Sequence, residues 1–271
     1  DMVKDHTIPQ GVGVHSDGAL NDGGVELVTP PIAGIHAERY VKRLCKALTN
    51  VSASVDKTCG LHVHIDCSDI AEDPRMIANV WMLYAIFEDA LLAVVPRSRR
   101  SNSYARPLRG IETAHAINRA SRDMSMLEKL WYQTQSDNEI ADIKKGKYHN
   151  SRYHILNLHI FFHSKEREKA HAEVRLHSGT ISERKILGWA NLHTKMFDTA
   201  KRLTPSDLLD VYSTIVEPRE KIKALADLIG LSQTSLAYWY NRYMKFKKTA
   251  EEEELVPSPL TIINTTNLCA E

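Results

Sequence analysis

The sequence predicts an α+β fold, with strands interleaved among helices early in the chain and a helical region after them. Three observations carry that expectation. Gly60–Asp66 (GLHVHID) alternates with the period of a half-buried strand. Ile77, Val80, Tyr84, Phe87, Leu91 and Val94 recur at helical spacing. Beyond Gly179 the pattern stays helical through about Phe246.

Taken in order, residues 11–29 read as a hairpin. An extended Gly11–Asp17 leads to a turn around Asn21-Asp22-Gly23-Gly24, and a strand Val25–Thr29 is stopped by Pro30-Pro31. His36–Leu48 has helical periodicity. Pro74–Val95 is expected to form one core-facing helix of about five to six turns, ended by Pro96. A basic loop, Arg97 to Arg106, follows it. Residues 109–143 read as mainly helical. Tyr153–Phe162 and Ala170–His177 read as two further strands, with Lys165–Lys169 as their turn. The acidic run Glu251–Glu254 and a proline-containing tail close the chain, which carries no internal repeat.

Composition excludes several classes. The 271 residues are 43% hydrophobic and 25% charged, which rules out a mainly disordered, collagen-like or coiled-coil chain. With 35 basic against 34 acidic residues the net charge is +1, so neither nucleic acid nor a membrane surface is an expected partner. No apolar run approaches the roughly 20 residues that cross a bilayer. Cys45, Cys59, Cys67 and Cys269 lack C-x-x-C spacing, so a reduced, cytoplasmic protein is the default. No P-loop or G-x-G-x-x-G stands at a strand–helix junction. Met2 is either a native start behind one extra residue or internal to a longer chain.

Four elements bring chemistry-bearing residues together. In GLHVHID the strand period sets His62 and His64 on one face, with Leu61, Val63 and Ile65 on the other. Two such imidazoles suit a metal or a phosphate, or simply line a solvated face. In HAEVRLHSGT the same period aligns His171, Glu173, Arg175 and His177. There Glu173 and Arg175 either pair with each other or divide the work, the acid on a hard cation and the guanidinium on phosphate. Glu26 lies among apolar residues of a strand, a costly place for an acid facing inward unless it is paired or metal-bound. Asp17 belongs to the partner strand. Finally, Arg97, Arg99, Arg100, Arg106 and Arg109, with the polar insert Asn102-Ser103-Tyr104, form a cationic loop suited to polyanionic phosphates.

The ordered series DGAL…GVELVTPP…TCGLHVHID…VPRSRRSNSYARP…SRYHILNLH…AEVRLHSGT resembles the amidoligase family over roughly residues 12–200. That family is grouped with glutamine synthetase and the glutamate–cysteine ligases as carboxylate–amine ligases. Within the group, Gly60–His64 looks like a G-M-H-x-H strand, Asn102–Arg106 like an N-S-Y-K-R segment and Glu173–Arg175 like an E-x-R strand. The resemblance implies a glutamine synthetase-like antiparallel sheet forming a curved cleft flanked by helices. It implies Glu26, His62 and Glu173 as metal ligands, and Arg106, Arg152 and Arg175 around the transferred phosphoryl group. Arg99, Arg100, Asn102 and Tyr104 fall to the nucleotide. The implied cofactors are ATP and magnesium, with manganese as its substitute, and the substrates a small-molecule or peptide carboxylate and an amine. Sites between the subunits of a homo-oligomer are known in the group. One departure stands out: no E-x-E strand precedes Asp17, which implies either an upstream segment or fewer metals.

On this reading residues 1–203 form the catalytic domain, 204–250 a helical extension and 251–271 a tail. The amine must lose a proton before it attacks, and His64, Asp17 and Glu112 are the candidate bases. Two alternatives belong to other classes. One is a non-catalytic relative that only binds a nucleotide or peptide. The other is a DNA-binding helix-turn-helix at 220–246, with Ala226, Gly230 and Leu236 at the motif's spacing and Arg242, Lys245, Lys247 and Lys248 facing phosphate. Leu231 and Trp239 would be further core positions of that motif; against it stands a helical hairpin packed on the main domain, whose close helix crossing gives the same Ala/Gly/Leu spacing.

Overall fold

The computed structural model describes residues 12–16, 24–108, 111–146, 148–164, 166–212 and 214–254. The expected turn at 21–24 falls mostly outside those residues, and Asp17 and Arg109 lie wholly outside them. Strands β1 (Gly13–Ser16) and β2 (Val25–Val28) pair antiparallel as a two-stranded sheet. Helix α1 (Gly34–Asn50) follows, then β3 (Gly60–Asp66) with the bounds the alternation predicts.

The expected long helix is two: α2 (Pro74–Ile86) and α3 (Glu88–Ala93), broken at Phe87. Backbone bonds continue across the break, Phe87 to Leu83 and Leu91 to Phe87, each 3.0 Å. At the start of α3 the buried Glu88 carboxyl group accepts the Leu108 N–H, a contact that periodicity does not encode. Asp73 caps α2 by accepting the Arg75 N–H, and Pro74 occupies the first turn, where its missing donor costs nothing. From Ile77 to Ile86 every residue of α2 is buried, so this is the central helix, surrounded by others rather than lying on a surface.

Within the expected basic loop, Arg97–Arg100 close one helical turn, α4. Then come α5 (Ile111–Ala120), α6 (Met124–Tyr132) and α7 (Asp137–Ile143), the last two capped by Asp123 and Ser136. Of the expected strand Tyr153–Phe162 only β4 (Leu156–Asn157) forms; α8 (His159–His163) takes the remainder. Asn157 Oδ1 accepts the His159 N–H, which starts the helix, and both Phe161 and Phe162 are buried by it. Strand β5 (His171–Ser178) completes a three-stranded antiparallel sheet in the order β3-β5-β4. A Cβ on Gly179 would collide with Cys59, so a glycine ends this strand.

Helices α9 (Glu183–Ala200), α10 (Pro205–Tyr212), α11 (Pro218–Leu228) and α12 (Gln233–Glu254) follow. Helix α11 closes on Gly230, whose φ of +63° only glycine adopts without strain. Leu231 N–H bonds Ala226 O (2.8 Å) and Gly230 N–H bonds Asp227 O (3.3 Å), the paired bonds of a Schellman motif. The acidic run Glu251–Glu254 is the last turn of α12, not a tail. Leu236 and Trp239 are buried, and Arg242 Nε donates to Val94 O at 2.9 Å. Helices α11 and α12 therefore form the hairpin packed on the main body, and Arg242 is turned inward, where a DNA-reading helix would turn it out. Among the described residues no helix is long and apolar enough to cross a membrane.

Candidate active site

The site is built on the three-stranded sheet. His64 stands opposite Glu173 and Val63 opposite Val174, whereas Leu61 stands opposite His177. Between these pairs β5 sets two residues, Arg175 and Leu176, against the single His62: a β-bulge. One extra residue reverses the alternation. Glu173 thus shares the face of His64 and His62, while His177 falls on the face of Leu61. There its ring lies against Trp189 of α9, centroids 5.0 Å apart. The expected four-residue stripe ends at Arg175.

Glu173 is the centre, at 3% exposure. Its Oε1 receives Arg175 Nη1 at 2.5 Å and His62 Nδ1 at 3.0 Å, with His64 Nε2 at 3.7 Å. Its Oε2 accepts the Asn157 side-chain N–H at 2.7 Å. Burial pushes this carboxyl up, but the His62 hydrogen bond, the Arg175 charge and the Asn157 amide outweigh it and hold it at about 2. Glu173 is therefore an anion at any physiological pH. His64 lies below the usual imidazole value, because partial burial and the charges of His171, His62 and Arg175 outweigh the pull of Glu173. A neutral His64 is a proton acceptor at neutral pH.

The neighbouring segments are stitched to this strand. Arg106 N–H bonds Tyr153 O (2.7 Å), Ile155 N–H bonds Arg106 O (2.9 Å), and Arg175 N–H bonds Ile155 O (2.9 Å). Asn102 Oδ1 accepts the Tyr104 N–H at 2.7 Å, and Tyr104 O accepts Arg175 Nε–H at 3.1 Å. Tyr104 is 58% exposed and meets Tyr153 edge-on, centroids 5.3 Å apart. The Tyr153 ring lies 5.7 Å from both the Arg152 and Arg175 guanidinium carbons. Arg152 also lies over Tyr148, at 4.8 Å. The exposed Arg106 donates to Asn150 O at 2.6 Å. An arginine–tyrosine rim thus borders the acid–imidazole cluster.

Three predicted site residues stand elsewhere. Glu26 is exposed on β2, opposite His15 in the separate two-stranded sheet. Arg99 is buried and donates to backbone carbonyls of Arg175 and Leu176, not toward solvent. Arg100 donates to Val95 O and Ala93 O, satisfying the end of α3. The side chain of Glu112, a candidate base, lies outside the described residues. One contributor, Asn157, has no role assigned to it by the sequence pattern. The signal for Asn157 was its place as the one polar side chain in Ile155-Leu156-Asn157-Leu158.

The donors fit a metal only in part. Among the described residues no group of three or more His, Cys, Asp or Glu is arranged to hold an ion. His62 and Glu173 meet, but Glu26 lies exposed on β2, and Arg175 already occupies Glu173 Oε1.

The site is thus a buried acid paired with a guanidinium, flanked by two imidazoles and bordered by arginine and tyrosine side chains. Residues 3–197 match the family described as "Putative amidoligase enzyme", and the chain belongs to that family. The description is of a ligase-type enzyme. The matched segment holds every residue of the site and ends within the last turn of α9, leaving α10–α12 beyond it. No curated protein and no solved structure matches the chain.

Proposed function

We propose that the protein is an ATP-dependent carboxylate–amine ligase that activates its acid as an acyl phosphate. The observation that carries this reading is the convergence of Glu173, Arg175, His62 and His64 at one point of a family member's sheet. Joining a carboxylate to an amine is uphill in water, because the carboxylate oxygen leaves poorly and the amine is protonated. Transfer of the γ-phosphoryl group to the acid releases ADP and makes a good leaving group. Attack by the amine then forms the amide and releases phosphate.

The polypeptide's own contribution is electrostatic. A triphosphate and a carboxylate repel each other, and Arg175, Arg152 and Arg106 are the counter-charges at hand. Glu173 fixes Arg175 in place. His64, neutral at the working pH, takes the proton of the incoming amine. Magnesium, or manganese, bound with the nucleotide would screen phosphate charge, with Glu173 and His62 as the residues to hold it. Tyr104, with Asn102 shaping its turn, faces the nucleotide. The sheet serves as the floor of a glutamine synthetase-like cleft, and the acid and amine are small molecules or peptides. We assign the enzyme to the cytoplasm, with a homo-oligomer as the form to look for.

The test is ADP release by the purified protein with magnesium and ATP against pooled amino acids and short peptides. Turnover is expected, and Glu173→Ala is expected to fold but release no ADP. Retained turnover in that variant refutes its role. A second reading has one observation in its favour: Glu173 already has Arg175, His62 and Asn157 as partners. Saturable nucleotide binding without ADP release would mark a non-catalytic relative.

A further inference from the structure

The bulge in β5 creates a backbone problem. Strand β5 is the central strand, but its neighbour β4 pairs only Leu156 and Asn157 with Val174 and Glu173, and beyond them Ile155 O takes the Arg175 N–H without serving the Arg175 or Leu176 carbonyl. Past that point the bulge takes Arg175 and Leu176 out of step with β3. Both residues are buried, and a buried carbonyl without a donor costs about 1–3 kcal/mol. Arg99 supplies the donors. Its Nη2 bonds Arg175 O at 2.7 Å and its Nε bonds Leu176 O at 3.2 Å, so one planar fork spans both bulge residues. Arg99 is 3% exposed, and among the described residues no carboxylate pairs with it. A buried cation held by two carbonyls, with no carboxylate partner among the described residues, is placed there by geometry rather than by charge pairing.

The bulge also decides where side chains point. Without it, Arg175 would fall opposite His62, and His177 would swing onto the site face. With it, the Arg175 guanidinium reaches Glu173 Oε1 and its Nε reaches Tyr104 O.

We propose that Arg99 is a positioning residue that holds the Arg175–Leu176 bulge and so aims Arg175 at Glu173. The catalytic meaning rests on the ligase reading, but the aiming of Arg175 does not. The test therefore reads Arg175 directly. In the intact chain, the side-chain Nε–H of Arg175 bonds Tyr104 O and that of Arg242 bonds Val94 O, so both resonances are expected to be protected from exchange. Arg99→Lys keeps a charge but cannot fork across two carbonyls. It is expected to speed exchange of the Arg175 Nε–H about tenfold or more, while the Arg242 signal stays as in the wild type. Arg99→Gln, with two donors and no charge, is expected to retain part of the protection. A stabilising osmolyte keeps the variants folded where needed. Unchanged Arg175 protection in folded Arg99→Lys overturns the proposal. So does failure of both variants to fold in osmolyte, since Arg99 would then be a folding residue. Should ADP release be established, kcat of Arg99→Lys falls by about 10²-fold with little change in KM for ATP.

Discussion

Glu173 and Arg175, two residues apart on one strand, close an ion pair at 2.5 Å in which both side chains are almost wholly buried. The acid has further partners in His62 and Asn157, and the guanidinium has Tyr104 O. Removing one member leaves the other charged and buried. Glu173→Gln and Arg175→Met should each cost about 3–5 kcal/mol in urea unfolding. The double variant should cost clearly less than their sum. Additive losses would mean that the two groups do not depend on each other.

How far this site was legible follows from where its parts lie. The motif GLHVHID gave β3, and its period gave the shared face of His62 and His64, because a strand's alternation is written locally. Glu173 and Arg175 were legible in the same way. The bulge was not, since an extra residue in β5 shows only against the register of β3. The strand period alone therefore sets His177 on the site face, and Arg99 stands in a basic run that suggests a phosphate ligand, because its carbonyl partners lie 76 and 77 residues away. Phe87 continued a helical stripe without a Gly or Pro, so the break between α2 and α3 had no local sign. Asn157 was lost inside an apolar run whose helical half, α8, is set by tertiary burial of Phe161 and Phe162.

Glu88 gives the fold an alkaline weakness. Burial pushes its carboxyl up to about 8, against the opposing pull of the Leu108 N–H. The unfolded chain ionises near the ordinary value of 4.5, so stability tied to the neutral acid is lost as pH rises from there to about 8. Glu88→Gln keeps an acceptor for Leu108 without the proton. Its melting temperature should match the wild type near about pH 5 and exceed it by several degrees above about pH 8. Parallel curves at the two pH values would show that Glu88 ionises freely in the folded protein.

An acid weakness comes from three buried imidazoles. Burial lowers His159 to about 4, His177 to about 4 and His193 to about 3. All three stay neutral in the folded protein while the unfolded chain takes up protons below about 6.5. Stability is whole above that value and falls as pH drops toward the folded values. His193 is wholly buried, bonded through Nδ1 to Tyr84 OH at 2.6 Å and stacked on that ring. His193→Phe preserves a ring there and removes one proton from the balance. Unfolding free energy measured between about pH 6.5 and pH 4 should decline less steeply in this variant. An unaltered slope would assign the acid loss to other groups.

Arg242 decides between the two readings of the C-terminal helices. Its Nε–H bonds Val94 O at 2.9 Å, and its guanidinium lies 5.9 Å from the Trp239 ring and 5.2 Å from the Phe246 ring. Val94 O belongs to the end of α3, a carbonyl that no residue of that helix can satisfy. Arg242→Ala removes this bond and the packing of the side-chain stem, so it should lower stability by about 1–3 kcal/mol. Duplex DNA titrated into the full chain at low salt should behave alike for wild type and variant, since the side chain that a DNA reader would present is held by the protein itself. A wild-type affinity that falls with salt and is lost in Arg242→Ala would instead restore α11 and α12 as a nucleic-acid module.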